Sequence, residues 1–375
     1  MKIAVVGGGP AGLFAAIEAK KNNCVVNLYE KHKIGEGICC AEGIFNSLNV
    51  LKKTEETRGF LYDVENVTFR VGNNVTKMKC PIWMMDRETW QKGLSERAQK
   101  LGVDIHENSN ITIEMLKQLQ MENDWVIDAS GAPSITGFAY GFYKEYINEC
   151  TVLYQYNVAG DFSELYKQKN IETTMPMRIP QKNFPYYFWV WPKSEINANV
   201  GFGYYKKSSA ELLDTKKILN EFLAEQNIDK NNIIREGGAI LPFKKPSINM
   251  KDNIIMVGDA MGAVSPLHGG GIDTACISGV LAVKMVLDGK AKDFEKTFFS
   301  LMKNKVCFEQ LIIDIVHKKG ITFVEENIKI IKSAKEGDNI LNALKLVFSS
   351  IKTANAFRKW RNNYLNNSVG FKIEI

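Results

Sequence analysis

The chain has 375 residues, 45% hydrophobic and 24% charged, with 48 Lys+Arg against 42 Asp+Glu and a net charge of +6. That balance excludes a disordered chain, a collagen-like chain and a disulfide-dense miniprotein, and the length suits about two or three domains. No apolar run reaches the roughly 18 residues of a membrane span.

The first residues, Lys2-Ile-Ala-Val-Val, begin a strand at once and lack a signal-peptide layout. Seven Cys without a regular framework, Cys39 and Cys40 adjacent, read as reduced thiols of a cytoplasmic protein. Charge is uneven along the chain. Residues 291–375 carry 15 Lys+Arg and 9 Asp+Glu, which leaves 33 of each in residues 1–290. A basic tail on a neutral body suits an anionic surface, nucleic acid or lipid headgroups; its plain alternative is a solvated helical face.

In chain order, Ile3 to Val6 is a short buried strand bounded by glycines. Leu13 to Lys21 reads as a helix with Leu13, Ala16 and Ile17 on one face, and Cys24 to Glu30 as the second strand, a βαβ opening. Phe60 to Lys79 alternates like strand, with Val64, Val67, Phe69 and Val71 apolar. Arg87 to Lys100 predicts a helix and Trp125 to Ala129 a strand. Residues 138–205 hold 18 of the 39 aromatic residues, which predicts a second, strand-rich domain. Asn253 to Val257 is again a buried strand, and Ile272 to Leu287 a long helix. Beyond 293 the period is helical: Phe308, Leu311, Ile312, Ile315 and Val316 share one face.

Gly7, Gly9 and Gly12 form GxGxxG between the first strand and its helix. The first glycine permits the tight turn, the second lets backbone approach a pyrophosphate, and the third lets helix and strand pack closely. Glu30, 18 residues after Gly12, ends the second strand, where a carboxylate accepts from a ribose hydroxyl. A second signal follows the strand ending at Val257. Gly258-Asp259 supplies a carboxylate for a polyol hydroxyl, and Gly269-Gly270-Gly271 lets backbone lie against a flat ring. The helix opening at Ile272 aims its positive end back at that ring. Reduced flavin carries negative charge near N1, so this pair of signals points to FAD.

The set resembles the FAD-dependent oxidoreductases of the p-hydroxybenzoate-hydroxylase plan, with Arg87 in MDRETW, Asp128-Ala-Ser-Gly131 and Gly258-Asp259 through Pro266 in that family's order. The resemblance implies that Arg87 lies near the FAD and that Asp128 to Gly131 pack beside the adenosine end. It covers roughly residues 1–290.

Within that plan the chain resembles the geranylgeranyl reductase family, which includes the archaeal digeranylgeranylglycerophospholipid reductases. Tyr187-Phe-Trp189-Val-Trp191-Pro192 resembles the family's YxWxFP motif, with Trp at 191 for Phe, and leads on to Val200-Gly201. Ile34 to Gly43 (IGEGICCAEG) is similar to its CGEG loop, with Ala41 for Gly and Gly37 where a proline is usual.

The expected fold is α/β: a Rossmann-like FAD-binding domain in three segments (1–58, 81–135 and 236–292). A strand-rich substrate domain (59–80 and 136–235) is inserted, and a helical segment (293–375) follows. Strand alternation puts Tyr187, Trp189 and Trp191 on one face, where they wall an apolar tunnel for a prenyl chain; sheet core is the plain alternative.

Reducing an isolated alkene takes a hydride from flavin N5 and a proton for the other carbon. Cys40, which matches the family's loop cysteine, is the first candidate donor; His268 in the glycine loop is the second and Tyr187 the third. The expected activity is saturation of isoprenoid double bonds at a membrane surface. The protein would be cytoplasmic and peripheral on the inner face of the membrane, with Arg358, Lys359 and Arg361 on anionic headgroups and Trp360 at the interface. No nucleic-acid partner and no metal site is expected. The sequence has no second GxGxxG, but the resemblance implies that NADPH can be met without one, so an external reductant, ferredoxin-like or NADPH, is expected and the choice between them stays open. A flavin monooxygenase or halogenase, and a non-catalytic electron-transfer flavoprotein, are the competing readings. The stretch YFWVWP departs from the halogenase WxWxIP pattern at two positions.

Overall fold

A computed structural model of the chain describes residues 1–208, 210–325, 351–366 and 370–375. Among these, two large sheets dominate. The six-stranded sheet runs in the order Met250–Lys251, Ile254–Met256, Trp125–Asp128, Lys2–Val6, Val25–Tyr29, Asp104–His106. Its pairings are parallel except at the Met250–Lys251 edge. Parallel strands need both faces covered, and the central ones read as continuous apolar runs because they are buried on both sides. Ile3, Ala4 and Val5 are fully inaccessible.

Two helices, Pro10–Lys21 and Ile272–Leu287, pack together against this sheet. Gly279 allows their close crossing, since a Cβ there would sit 2.2 Å from the Ala11 carbonyl oxygen. The helix Arg87–Lys100 begins at an Asp86 cap whose side chain accepts from Thr89 N–H. Its Trp90 and Leu94 enter the same core.

The second sheet has seven strands, in the order Ile233–Pro242, Cys150–Ala159, Asn197–Lys206, Tyr186–Ser194, Asn170–Met175, Asn66–Val71, Asn74–Met78. It is antiparallel except where Asn66–Val71 pairs parallel with Asn170–Met175. That pairing joins the hairpin from the first half of the chain to the aromatic-rich segment. Tyr186, Phe188 and Val190 face one side of the sheet. There Phe188 stacks on Phe222 of the helix Thr215–Glu225, ring centroids 4.2 Å apart.

Four expectations change. Phe60–Asp63 leaves the expected substrate segment and pairs instead with Ile82–Met85, which also pairs with Gly43–Phe45. The strand Ile233–Pro242 runs through the boundary drawn at 235 and stays in the seven-stranded sheet to Pro242. The C-terminal segment contains the helices Phe294–Lys319 and Ile351–Asn366 but closes with a strand, Ile373–Glu374, parallel to Leu51–Lys52. Residues 326–350 and 367–369 of that segment lie outside the described residues. Finally, Trp360 is engaged within the fold. Its indole stacks on Phe308 at 5.4 Å and donates to the Ser47 carbonyl at 3.3 Å, so it is not free for a lipid interface. Arg358, Lys359 and Arg361 are exposed.

Candidate active site

A cleft of about 660 Å3 opens between the two sheets. The glycine loop forms one end. Gly7 has φ +108° and no room for a Cβ, which would lie 2.3 Å from the Ala129 carbonyl oxygen. Gly12 packs the helix on the strand, its virtual Cβ 1.9 Å from the Gly7 oxygen, and does not line the cleft. At Gly9 a Cβ would meet nothing within 4 Å, so the backbone is open to a ligand. Gly9 also caps the helix Pro10–Lys21 without a side-chain hydrogen bond, which leaves the helix N-terminal N–H groups available. Glu30 closes the strand Val25–Tyr29, its carboxylate accepting from Gly8 N–H at 2.6 Å and His32 N–H at 3.0 Å. Gly131, at φ +88°, likewise faces open space.

The second end is built around Asp259 and the turn Gly269–Gly271. Among the described residues no group hydrogen-bonds the Asp259 carboxylate. Burial pushes it up to about 6 against the opposing pull of the Arg87 guanidinium. Arg87 donates from Nη2 to Gln91 at 2.5 Å, while its buried Nε has no acceptor among the described residues. Gly271 caps the helix Ile272–Leu287, again without a side-chain hydrogen bond, and both Gly271 and Ile272 line the cleft. Two uncapped helix N-termini, a free carboxylate and an orphaned guanidinium N–H in one cleft fit the phosphates and hydroxyls of a dinucleotide cofactor.

The wall between the two ends is aromatic. Tyr187, Trp189 and Trp191 line the cleft, while their strand neighbours enter the opposite core. Gly201 makes room for Trp189: a Cβ at Gly201 would lie 2.0 Å from the indole. The Trp189 N–H donates to Asn199 Oδ1 at 2.6 Å. Asn199 in turn donates to the Cys40 carbonyl at 3.3 Å. Gly43 does for Trp191 what Gly201 does for Trp189, with a virtual Cβ 2.4 Å from that ring.

Each candidate proton donor has a defined setting. Cys40 Sγ accepts from Glu42 N–H at 3.2 Å, and its S–H has no acceptor among the described residues. Burial pushes its neighbour Cys39 up to about 12. The Tyr187 hydroxyl is committed, donating to the His268 carbonyl at 2.5 Å, and burial raises its pKa out of the working range. His268 Nδ1 accepts from Gly270 N–H at 3.1 Å.

Several neighbours gave no sign in the sequence. Glu42, 1% exposed, accepts from Arg87 N–H at 3.1 Å and pairs with Lys193 at 2.7 Å; Lys193 also reaches Asp86 at 3.3 Å. Lys193 follows the aromatic motif directly and Glu42 sits inside the IGEGICCAEG loop, but nothing in either stretch says that they meet. Ser265, Lys305 and Glu309 lie behind the glycine turn; Ser265 falls within the Gly258–Pro266 stretch, but Lys305 and Glu309 carry no motif. Among the described residues no group of three or more His, Cys, Asp or Glu is placed to hold a metal ion. No described helix is long and apolar enough to cross a membrane.

The family model for pyridine nucleotide-disulphide oxidoreductases matches residues 1–159. Digeranylgeranylglycerophospholipid reductase 1 of Methanopyrus kandleri is 30% identical over 328 residues, covering 78% of this chain and 81% of the relative. The chain belongs to the digeranylgeranylglycerophospholipid reductase family. The Methanococcus vannielii reductase is 28% identical over 354 residues, with 87% of each chain covered.

A solved geranylgeranyl bacteriochlorophyll reductase-like protein from Thermoplasma acidophilum shares the fold. It aligns at a TM-score of 0.71 and 19% identity, over 96% of this chain and 98% of that one. The family and the cleft together make the protein an FAD-dependent oxidoreductase.

Proposed function

We propose that the protein saturates carbon–carbon double bonds of geranylgeranyl-type isoprenoid lipids. The observation that carries this reading is the continuity of one cleft from the Gly7–Gly9 loop to the wall of Tyr187, Trp189 and Trp191. When bound and reduced, FAD supplies hydride. The Gly7–Gly9 backbone and the first turn of Pro10–Lys21 hold the pyrophosphate, and Glu30 keeps lone pairs for a ribose hydroxyl. Gly131 borders the adenosine end. Gly258 turns the chain so that Asp259, with its unpaired carboxylate, accepts from the polyol; Arg87 faces the same region. Gly269, Gly270, Gly271 and Ile272 bed the ring system.

The three aromatic residues suit a chain without polar handles, which binds by buried area at about 25 cal/mol per Å2. They also exclude water, so that charge developing on the alkene meets the protein's donor. That donor is Cys40, because its S–H has no acceptor among the described residues while the Tyr187 O–H is held by the His268 carbonyl. The sheltered thiol gives its proton to the second alkene carbon and is reprotonated from solvent between turnovers. The lipid enters from a membrane while the protein stays peripheral to its anionic inner face, touching it through the exposed Arg358, Lys359 and Arg361. An external reductant, ferredoxin-like or NADPH, supplies the electrons.

Rapid mixing under anaerobic conditions tests this reading. Dithionite-reduced holoprotein should reoxidise when mixed with a geranylgeranyl phospholipid and stay reduced with its fully saturated counterpart. Reoxidation that needs oxygen would favour a monooxygenase, and no reoxidation an electron-transfer role.

A further inference from the structure

The helix Phe294–Lys319 carries an ion pair deep in the protein: Lys305 and Glu309 are 3% and 4% exposed and 3.0 Å apart. Two buried charges are costly unless paired and fully hydrogen-bonded. Glu309 is also the meeting point of the glycine turn. Its Oε2 accepts from Ser265 Oγ at 2.9 Å. The same Ser265 Oγ receives the His268 N–H at 3.3 Å, while Ser265 N–H binds the Gly270 carbonyl and its own carbonyl receives Gly269 N–H. On the other side, His268 Nε2 is buried 3.6 Å from Glu309 Oε1, and Nδ1 is filled by Gly270 N–H. A neutral imidazole accepting at Nδ1 must carry its proton on Nε2, which lies near the carboxylate but beyond hydrogen-bond distance of it.

We propose that Glu309 is a positioning residue for the cofactor turn. Through Ser265 it fixes the loop, and through the attraction of its charge for the protonated Nε2 side of His268 it orients the imidazole that holds Gly270 in place, so the helix Phe294–Lys319 sets the shape of the bed that Gly269–Gly271 offers to the flavin. This rests on the turn being the flavin's seat, and it gives residues beyond 293 a function at the site.

Two measurements test it. Long-range proton–nitrogen correlation spectra of apo-protein labelled with 15N-histidine, assigned with His268→Asn, read the tautomer directly; the chain has four His. The expected result is the Nε2–H form of His268, and the Nδ1–H form overturns the proposal without any Glu309 variant or bound cofactor.

The second measurement compares two double variants, K305M/E309Q and K305M/E309M. Both remove the buried charges at similar volume and differ only in whether position 309 can accept hydrogen bonds. FAD binding by each apo-protein is followed by flavin fluorescence. The Gln variant should keep FAD affinity within about threefold of the wild type, and the Met variant should lose tenfold or more. Equal affinities would show that position 309 serves packing alone. Failure of the wild-type apo-protein to take up FAD would instead count against the flavin reading, while the tautomer result would stand.

Discussion

At the scale of single residues, one end of the cleft holds two polar groups, the Asp259 carboxylate and Arg87 Nε, without a hydrogen-bond partner among the described residues. Asp259 is the clearest case. Burial raises its carboxyl to about 6 from an ordinary 3.8. In the protein without cofactor, both folded and unfolded states bind its proton below about pH 4. As pH rises toward 6 the unfolded chain gives up the proton more readily, so the folded state loses stability relative to it, and the cost is complete above 6. Asp259→Asn should therefore raise the thermal midpoint of the apo-protein at pH 7, with the gain vanishing near pH 4, and weaken FAD binding; scanning calorimetry across pH checks it. Cys40→Ala should leave FAD bound and lower the rate of anaerobic flavin reoxidation by lipid about 100-fold, within the range for loss of a general acid. A rate unchanged in the alanine variant would rule out Cys40 as the donor. The glycines and Glu30 are visible in the sequence because each acts within a few residues of itself. Tyr187 was visible as an aromatic ring, but the commitment of its hydroxyl was not, since its acceptor lies 81 positions away.

At the scale of elements, local pattern carried far. Arg87–Lys100 and Ile272–Leu287 begin and end where sequence periodicity and the glycine turn put them. Tyr187, Trp189 and Trp191 share a face because strand geometry alternates. By contrast, Asp104–His106, three residues at the sheet edge, is too short to show a period, and it is a strand only because Val25–Tyr29 offers it a partner. The contact of Lys193 with Glu42 and Asp86 is of the same kind. It ties the aromatic strand to the Cys40 loop and to the cap of the Arg87 helix. Lys193→Met strands the Glu42 carboxylate, and should cost about 3 kcal/mol in chemical denaturation. Adding Glu42→Gln to it should recover most of the loss. Gly201→Ala, which pushes a methyl into the Trp189 indole, should cost about 1–3 kcal/mol and disturb the cleft wall.

At the scale of the whole molecule, two sheets divide the cleft between them. Helices packed on the six-stranded sheet open into it at their N-termini, and the seven-stranded sheet presents an aromatic face to it. The C-terminal segment braces both: Phe294–Lys319 reaches the glycine turn, and Ile373–Glu374 pairs with Leu51–Lys52 while Ile373 and Ile375 are buried. None of this was legible beforehand, because an amphipathic helix and a two-residue strand say nothing about what they pack on. Deleting residues 370–375 should lower stability by about 3 kcal/mol, from the burial of two Ile side chains, and should be visible as a lower thermal midpoint.

The proposed task, carrying hydride from a flavin to an isolated alkene, is tested most directly by the lipid itself. Mass spectrometry of a geranylgeranyl phospholipid after anaerobic turnover with reduced holoprotein should show a gain of about two daltons for each double bond consumed, one hydride and one proton. An unchanged lipid mass with FAD bound and reduced, or a gain of oxygen, would contradict it.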